Sequence, residues 1–486
     1  MKKQKSIRKN FIMNSILTMS QFIFPLITFP YVSRILLPEG TGKVSFATSI
    51  ISYFTMLAQL GIPTYGIRAC AKVRDDKEQL SKTTQEIFII NIVMSILAYI
   101  VFLLVVCNIQ RLKGEKTLLI IVSVTIFFNA IGMEWLYKAL EQYTYITIRS
   151  VIFKFIALIA MFLLIRQQSD YIIYGAISIF ASSASNVFNF VNAHKYVSLW
   201  PVGDYNFKRH LKAVSVFFAM SCATTIYTHL DTVMLGFMKT NVDVGYYNAA
   251  VKIKTILVSI VTSLGTVLLP RASYYVEHGL KEEFYRITKK AINFVFLVAT
   301  PLMVYFMFFA KEGIFFLSGN NYDGAIVPMQ IIMPTLFFIG LTNIMGMQIL
   351  VPLGKENIVL YSEIVGAVVD LVINYILIPK YASAGAAIGT LVAEIVVWIV
   401  QYIYLRKQIK DAYKNIRYGV LILALFLGSI ASFGVKKVLS GSFVILLISA
   451  ILFFGVYFIV LTIEKEPLIY QIEESLLTKL KKEGKK

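Results

Sequence analysis

Charged residues, cysteine and histidine are all scarce in this sequence. Only 15% of the 486 residues are Asp, Glu, Lys or Arg, and there are 3 cysteines and 4 histidines. An odd number of scattered cysteines gives no disulfide framework, and the histidines are too dispersed for a metal site. The sequence also has no glycine-rich phosphate loop and no nucleophile motif. It therefore predicts neither an ATPase nor another enzyme, and no resident cofactor or metal.

Apolar residues are abundant instead. They make up 57% of the chain, and the mean hydropathy is +0.71. Stretches of about 20 apolar residues, each long enough to cross a bilayer as a helix, recur along the whole length. We predict an all-α polytopic membrane protein with about fourteen spans. These spans lie near residues 11–35, 42–65, 84–109, 117–140, 147–166, 171–193, 212–236, 245–270, 288–310, 325–352, 357–380, 384–406, 415–437 and 442–463.

The basic residues are distributed unevenly between the two sides of these spans. If the N-terminus is cytoplasmic, Lys and Arg favour the inner segments by roughly three to one, as the positive-inside rule requires. Both termini are therefore predicted in the cytoplasm, and the net charge of +20 indicates topology and not nucleic-acid binding. The predicted outer loops are short, which argues against a membrane-bound sugar polymerase or glycosyltransferase.

Two residue pairs suggest an internal repeat. Gly42 and Arg68 bracket the second span, Gly245 and Arg271 bracket the eighth, and the two pairs share one offset. Six spans separate the copies, an even number, so the two halves would have the same orientation in the membrane.

The repeat predicts two six-helix lobes followed by two further helices. Apolar residues at helical spacing and a lysine-rich end predict that the tail is an amphipathic helix on the inner leaflet, with a solvated tail as the alternative. The predicted segments are 1–193 (N-lobe), 194–211 (cytoplasmic linker), 212–406 (C-lobe), 407–463 (spans 13 and 14) and 464–486 (tail).

Span 8 carries a polar face. Asn248, Lys252, Thr255 and Ser259 recur at helical spacing, whereas Lys254 is turned away by about 200°. Lys252 is the better candidate for a cavity residue, although the spacing alone does not decide between the two lysines. It is interpreted either as an anion ligand, most simply for a diphosphate, or as an ammonium that reaches back to the interface.

Span 1 offers Gln21 and Arg34, and Pro25 and Pro30 are expected to interrupt its helix. A broken helix suits a gate, and the alternative for Arg34 is an anchor at the end of the span. In span 4, Glu134 and Lys138 are four residues apart in the order that favours an ion pair.

Oxygen-bearing side chains occur at similar depths in three later spans. They are Asp231 in span 7, Asp370 and Asn374 in span 11, and Thr390 in span 12. This set would suit Na⁺, or a proton on either aspartate. Hydrogen bonds between helices are the alternative.

Several motifs together resemble the polysaccharide repeat-unit (Wzx-type) flippases of the multidrug/oligosaccharidyl-lipid/polysaccharide exporter superfamily. The resemblance covers nearly the whole chain. It rests on RILLPEGTGKVSFA (34–47), GMEWLYKALEQYTYITIRSVIFK (132–154), VGYYNAAVKIK (244–254), LLPRASYYVEHG (268–279) and NYILIPKYASAGAAIGTLVAE (374–394).

This resemblance implies a MATE-like, two-lobed transporter in the bacterial cytoplasmic membrane. By alternating access it would carry an undecaprenyl-diphosphate-linked oligosaccharide to the outer leaflet. Its other implied partners are membrane lipids and polysaccharide synthesis enzymes. The implied substrate residues are Lys252, Arg34 and Arg68, with Asn248 and Gln21 from the polar faces. Asp231, Asp370, Asn374 and Thr390 would hold the coupling ion, Na⁺ or H⁺. A cation-coupled multidrug exporter is the alternative function.

Overall fold

The computed structural model of the chain describes residues 7–198, 200–414, 416–471 and 474. These residues form helices and their connections, without a strand, so the all-α prediction is confirmed. By its internal contacts the chain divides into two compact units, Met1–Gly245 and Tyr246–Lys486. The lobe boundaries proposed from the repeat stay a prediction.

The first unit is built from ten helices of the described chain. A 3₁₀ turn at Gln168–Asp170 and a π-helix at Phe180–Ala184 flank the eighth of them. The ten are α1 (Ile7–Gln59), α2 (Ile62–Lys72), α3 (Lys77–Asn108), α4 (Gln110–Lys113), α5 (Lys116–Gly132), α6 (Glu134–Ala139), α7 (Tyr143–Leu164), α8 (Tyr171–Ile179), α9 (Asn186–Ala193) and α10 (Lys208–Met238).

The second unit begins within the first turns of α11 (Asn241–Glu277). A 3₁₀ segment at Asn320–Ala325 and a π-helix at Ile344–Leu350 interrupt its helices. The others are α12 (Lys281–Phe308), α13 (Ala310–Ser318), α14 (Ile326–Ile332), α15 (Thr335–Asn343), α16 (Glu356–Lys414), α17 (Tyr418–Phe433), α18 (Val435–Val438) and α19 (Ser442–Ile463).

Among the described residues, 11 helical segments are long and apolar enough to cross a membrane, or 12 if the bent pair Asn320–Ile332 and Thr335–Leu350 forms one span. Two of these segments, Ile12–Lys72 and Glu356–Lys414, contain 61 and 59 residues. Each is far longer than the about 20 residues that one crossing needs. If each crosses twice, the count is compatible with the predicted fourteen spans.

Both long helices are broken at a single residue. Leu37 in α1 has φ 58° and ψ 178°, and Ala382 in α16 has φ 48° and ψ −124°. Residues with side chains rarely adopt a positive φ, so each break is a defined local feature of the fold. The expectation that Pro25 and Pro30 interrupt span 1 was wrong, because helix α1 continues through both. Membrane helices tolerate proline where neighbouring groups satisfy the freed carbonyls.

The segment before α10 is fastened to α3 by two consecutive side chains. Gln85 donates from Nε2 to the carbonyls of Ser198 and Trp200, at 2.7 and 2.8 Å, and its Oε1 accepts from the Tyr205 hydroxyl at 2.7 Å. Within the first unit, the predicted linker 194–211 is thus attached to α3 through Ser198, Trp200 and Tyr205.

The adjacent Glu86 is fully buried and forms a second connection. Its carboxylate accepts from the Asn206 amide at 2.7 Å and from Arg209 Nε at 2.8 Å. His210 Nε2 lies 2.6 Å from the same carboxylate, and His210 Nδ1 lies 2.6 Å from the Tyr65 hydroxyl. A buried carboxylate is tolerable because charged and polar donors surround it.

Backbone meets backbone where α1 approaches the start of α11. A Cβ built on Gly42 would lie 1.8 Å from the carbonyl oxygen of Asn241, and one on Gly245 would lie 2.0 Å from that of Pro38. Only glycine permits so close an approach. The two glycines that share an offset in the sequence therefore belong to one contact.

The start of the tail is fastened to α12 within the second unit. Glu466 is buried, and its carboxylate accepts from Asn293 Nδ2 at 2.7 Å and from the amides of Leu468 and Ile469 at 2.8 and 3.0 Å. The side chains of Leu468 and Ile469 pack against the main apolar core of this unit. The rest of the predicted amphipathic tail lies outside the described residues, apart from Glu474.

Candidate functional site

A polar cavity of about 350 Å³ lies within the first unit. Its walls are formed by α1, α5, α10 and the segment where α8 passes into the π-helix. The lining residues of α5, α10 and the α8 segment lie near the middle of their membrane-length segments. The cavity is therefore placed at membrane depth, where polar side chains are costly without a purpose.

Ten of the fifteen described lining residues are polar, and none of the fifteen is Asp, Glu, Lys or Arg. No aromatic ring other than the imidazole of His229 is among them. The polar members are Thr48, Ser52, Thr55, Gln59, Thr125, Asn129, Ser182, Ser221, Thr225 and His229.

Neighbouring residues hold part of this lining in place. Asn129 Oδ1 accepts from Ser183 Oγ at 3.5 Å and from Asn186 Nδ2 at 3.4 Å. His229 Nδ1 lies 3.2 Å from Ser49 Oγ. Ser182 belongs to the π-helix, a distortion that is frequent at functional sites. These contacts preorganise the cavity wall.

The hydroxyl of Thr125 is a different case. Its Oγ1 is buried and has no hydrogen-bond partner among the described residues, although the residue lines the cavity. A buried polar group without a partner costs about 1–3 kcal/mol, which calls for an explanation.

The predicted substrate residues fall in both units. Gln21, Arg34 and Arg68 belong to the first unit and are exposed, while Lys252 and Asn248 belong to the second. Arg34 donates to the carbonyl of Pro30 one turn earlier. None of the five lines the cavity described above.

Lys252 is at the centre of the apolar segment Asn241–Ser263. Its side chain is exposed, as is Thr255 on the same helix face, whereas Lys254 is half-buried. Lys252 and Thr255 thus share an exposed face of α11, and the assignment of that face to a substrate cavity stays a prediction.

Three of the four predicted cation ligands belong to the second unit, and two of them are hydrogen-bonded to each other. Asn374 Nδ2 donates to Asp370 Oδ1 at 3.1 Å, and a Cβ on Gly389 would lie 2.2 Å from Asn374 Oδ1 and 2.8 Å from Asp370 Oδ1. The neighbouring Thr390 hydroxyl lies 2.9 Å from that of Tyr247. The fourth predicted ligand, Asp231, is buried in the first unit.

The pairing of Glu134 with Lys138 is confirmed, with 2.8 Å between carboxylate and ammonium. Sequence reasoning missed Arg149, which is only 8% exposed. Its Nε and Nη1 have no hydrogen-bond partner among the described residues, and its guanidinium lies 5.9 Å from the Tyr145 ring centroid. Its place just inside predicted span 147–166 was the available signal.

An all-helical chain with this many membrane-length segments and a polar cavity at membrane depth is a multi-pass membrane protein of the transporter type. The family of polysaccharide biosynthesis proteins matches residues 7–276, more than half of the chain. The chain belongs to this family. The MatE family matches residues 217–376.

Two relatives match over nearly their whole length. The chain is 22% identical to a protein of Escherichia coli (strain K12) named "Putative O-antigen transporter", over 83% of this chain and 97% of that protein. It is also 22% identical to the capsular polysaccharide biosynthesis protein CapF of Staphylococcus aureus, over 83% and 99%.

Solved structures share the fold. The lipid II flippase MurJ in an inward closed conformation superposes with a TM-score of 0.75, covering 94% of this chain and 100% of that chain at 16% identity. An inward-facing MATE-family multidrug resistance transporter superposes with a TM-score of 0.63, covering 83% and 99% at 14% identity. The MATE-like fold predicted from the motifs is thereby confirmed.

Proposed function

We propose that this protein is a flippase that moves a lipid-linked oligosaccharide from the inner to the outer leaflet of the bacterial cytoplasmic membrane. Membership of the polysaccharide biosynthesis family supports this function, as do relatives named for O-antigen transport and capsule synthesis. The Escherichia coli relative is named a transporter and the MurJ neighbour a flippase, in agreement with the prediction that the chain is not an enzyme.

The observation that carries the proposal is the position of Lys252. An ammonium at the centre of a membrane-length helix costs about 2.5–3.5 kcal/mol on insertion scales, so a cation there needs a purpose. An undecaprenyl diphosphate carries the opposite charge, and a low dielectric strengthens the attraction. Arg34, Arg68, Asn248 and Gln21 are proposed to complete the contacts with the diphosphate and the sugars.

The direction of transport agrees with membrane electrostatics. When the membrane potential is negative inside, outward movement of an anionic headgroup is favourable and releases about 2.3 kcal/mol per charge per 100 mV. Both termini are proposed to be cytoplasmic. Na⁺ or H⁺ at Asp231, Asp370, Asn374 and Thr390 would reset the carrier, and polysaccharide synthesis enzymes would supply its substrate.

The test is flipping of a polyprenyl-diphosphate-linked sugar in proteoliposomes. Lys252→Ala should abolish transport, Lys252→Arg should retain part of it, and the matched control Lys254→Ala should leave it nearly unchanged. Full activity in Lys252→Ala, alone and combined with Arg34→Ala, would remove the anion site from the proposal.

A cation-coupled multidrug exporter is the second candidate, which the MatE match to residues 217–376 favours. Such an exporter should confer drug resistance when expressed in a sensitive host. The absence of carboxylates among the described residues of the cavity argues against organic cations as cargo there.

A further inference from the structure

We infer that the cavity of the first unit, between α1, α5, α10 and the π-helix, binds an uncharged sugar ring of the transported oligosaccharide. This inference rests on the proposed function and adds a substrate class to it. The diphosphate was assigned to basic residues that do not line this cavity, so the sugar would have a site of its own.

The chemistry of the lining favours a carbohydrate. A sugar presents several hydroxyls, each a donor and an acceptor, and often an acetamido group. Serine, threonine, asparagine and glutamine supply the matching donors and acceptors, and they make up nine of the fifteen described lining residues. Drug-sized ligands instead use pockets lined mainly by apolar and aromatic groups.

The same lining disfavours a charged sugar. A uronic acid would bring a carboxylate to membrane depth, where an ion without a charged partner is strongly penalised. Only His229 among the described lining residues is ionisable near neutral pH, and its Nδ1 is already in contact with Ser49 Oγ. We therefore assign the site to neutral hexoses and N-acetylated amino sugars.

Two geometric observations support a ligand site over a chance void. The cavity volume of about 350 Å³ falls within the range of small-molecule pockets, about 300–1,000 Å³. The hydroxyl of Thr125 lacks a partner among the described residues and lies just beneath the cavity wall, so a rotation about χ1 would present it to the cavity, where a sugar hydroxyl would supply the partner. A ligand would thus offset the free-energy cost of burying this hydroxyl without a partner.

The experiment measures binding to the purified full-length protein in detergent. Four probes are used: farnesyl diphosphate, farnesyl diphosphate linked to N-acetylglucosamine, farnesyl diphosphate linked to glucuronic acid, and methyl N-acetylglucosaminide alone. The wild type should bind the N-acetylglucosamine conjugate more tightly than farnesyl diphosphate. The glucuronic acid conjugate should gain nothing over farnesyl diphosphate.

Two isosteric substitutions test the wall. Thr125→Val and Thr225→Val each remove one hydroxyl at nearly constant volume, so each should weaken the N-acetylglucosamine conjugate by about 2- to 12-fold and leave farnesyl diphosphate unchanged. Thr224→Val is the matched control, since Thr224 neighbours Thr225 on α10 but is exposed and does not line the cavity. Thr125→Val should fold at least as stably as the wild type, because it removes a buried orphan hydroxyl.

The outcomes separate the two claims. Equal binding of the neutral and acidic conjugates, or the same loss in Thr224→Val as in Thr225→Val, would overturn the sugar site. In a third outcome, methyl N-acetylglucosaminide binds, Thr125→Val weakens that binding, and no diphosphate probe binds more tightly than methyl N-acetylglucosaminide. That outcome would support the sugar site and refute the lipid-diphosphate substrate. Wild-type affinity for the N-acetylglucosamine conjugate in both cavity variants would also refute this assignment.

Discussion

The contact between Gly42 and Gly245 allows a direct test of the fold. In Gly42→Ala the new Cβ would lie 1.8 Å from the carbonyl oxygen of Asn241, about half of an ordinary contact distance, and 2.9 Å from the Gly245 amide. Both obstacles are backbone atoms, so no side chain can rotate away. Overpacking of this kind costs about 1–3 kcal/mol and occasionally more, so Gly42→Ala should lower the unfolding temperature of the purified protein.

The matched control is Gly455→Ala within α19. Apart from the adjacent residues and backbone of its own helix, no heavy atom of the described residues lies within 4 Å of the Cβ position there, and alanine is preferred over glycine inside a helix by about 0.5–1 kcal/mol. Gly455→Ala should therefore leave the unfolding temperature unchanged or raise it. Thermal unfolding in detergent, followed by intrinsic fluorescence, measures both variants under the same conditions.

A double variant sharpens the test. Gly245→Ala meets the Pro38 carbonyl oxygen at 2.0 Å, in the same backbone contact. Once the first alanine has forced the segments apart, the second should cost less, so the double variant should lose less stability than the sum of the two. Wild-type stability in Gly42→Ala, or strictly additive losses, would refute the close backbone approach.

Two further predictions concern stability and topology. Glu86→Gln replaces a buried carboxylate that accepts from Asn206, Arg209 and His210, so it should destabilise the protein by about 1–3 kcal/mol in denaturant unfolding. The control Glu78→Gln, at the exposed start of the same helix, should change the free energy of unfolding by less than about 0.5 kcal/mol. Equal effects of the two substitutions would contradict the role of the buried site. The topology is tested in a chain whose native cysteines are replaced by alanine. Gly114→Cys, in a predicted outer loop, should react with a membrane-impermeant maleimide on intact cells, whereas His278→Cys, in a predicted cytoplasmic loop, should react only after permeabilisation. The reverse pattern would show that the predicted orientation is inverted.

Sequence reasoning succeeded where the signal is local. Apolar runs of membrane length locate the spans, and the four-residue spacing of Glu134 and Lys138 suffices to predict their ion pair. The same reasoning favoured Lys252 over Lys254 as a cavity residue, which stays a prediction, although Lys252 is the more exposed of the two side chains.

It failed where the partners are distant in the chain. Glu86 and Arg209 are separated by more than a hundred positions, and nothing in either local sequence indicates that they meet. The cavity was missed for a similar reason, since its hydroxyls come from four segments and each one alone resembles an ordinary interhelical hydrogen-bonding residue. Leu37 and Ala382 were missed because neither residue type favours the left-handed region that it occupies.

These two one-residue breaks bear on how the protein enters the membrane. If each long helix crosses twice and the N-terminus is cytoplasmic, as proposed, Leu37 and Ala382 lie at the outer ends of the two hairpins, on the side that must be translocated during biosynthesis. A conventional loop would carry several polar peptide groups through the hydrocarbon, each at a cost of several kcal/mol. A turn that leaves helix on both sides of one residue exposes very few such groups. Each pair of spans can therefore insert as a preformed hairpin, and lengthening either turn with polar residues should slow insertion before it affects the finished fold.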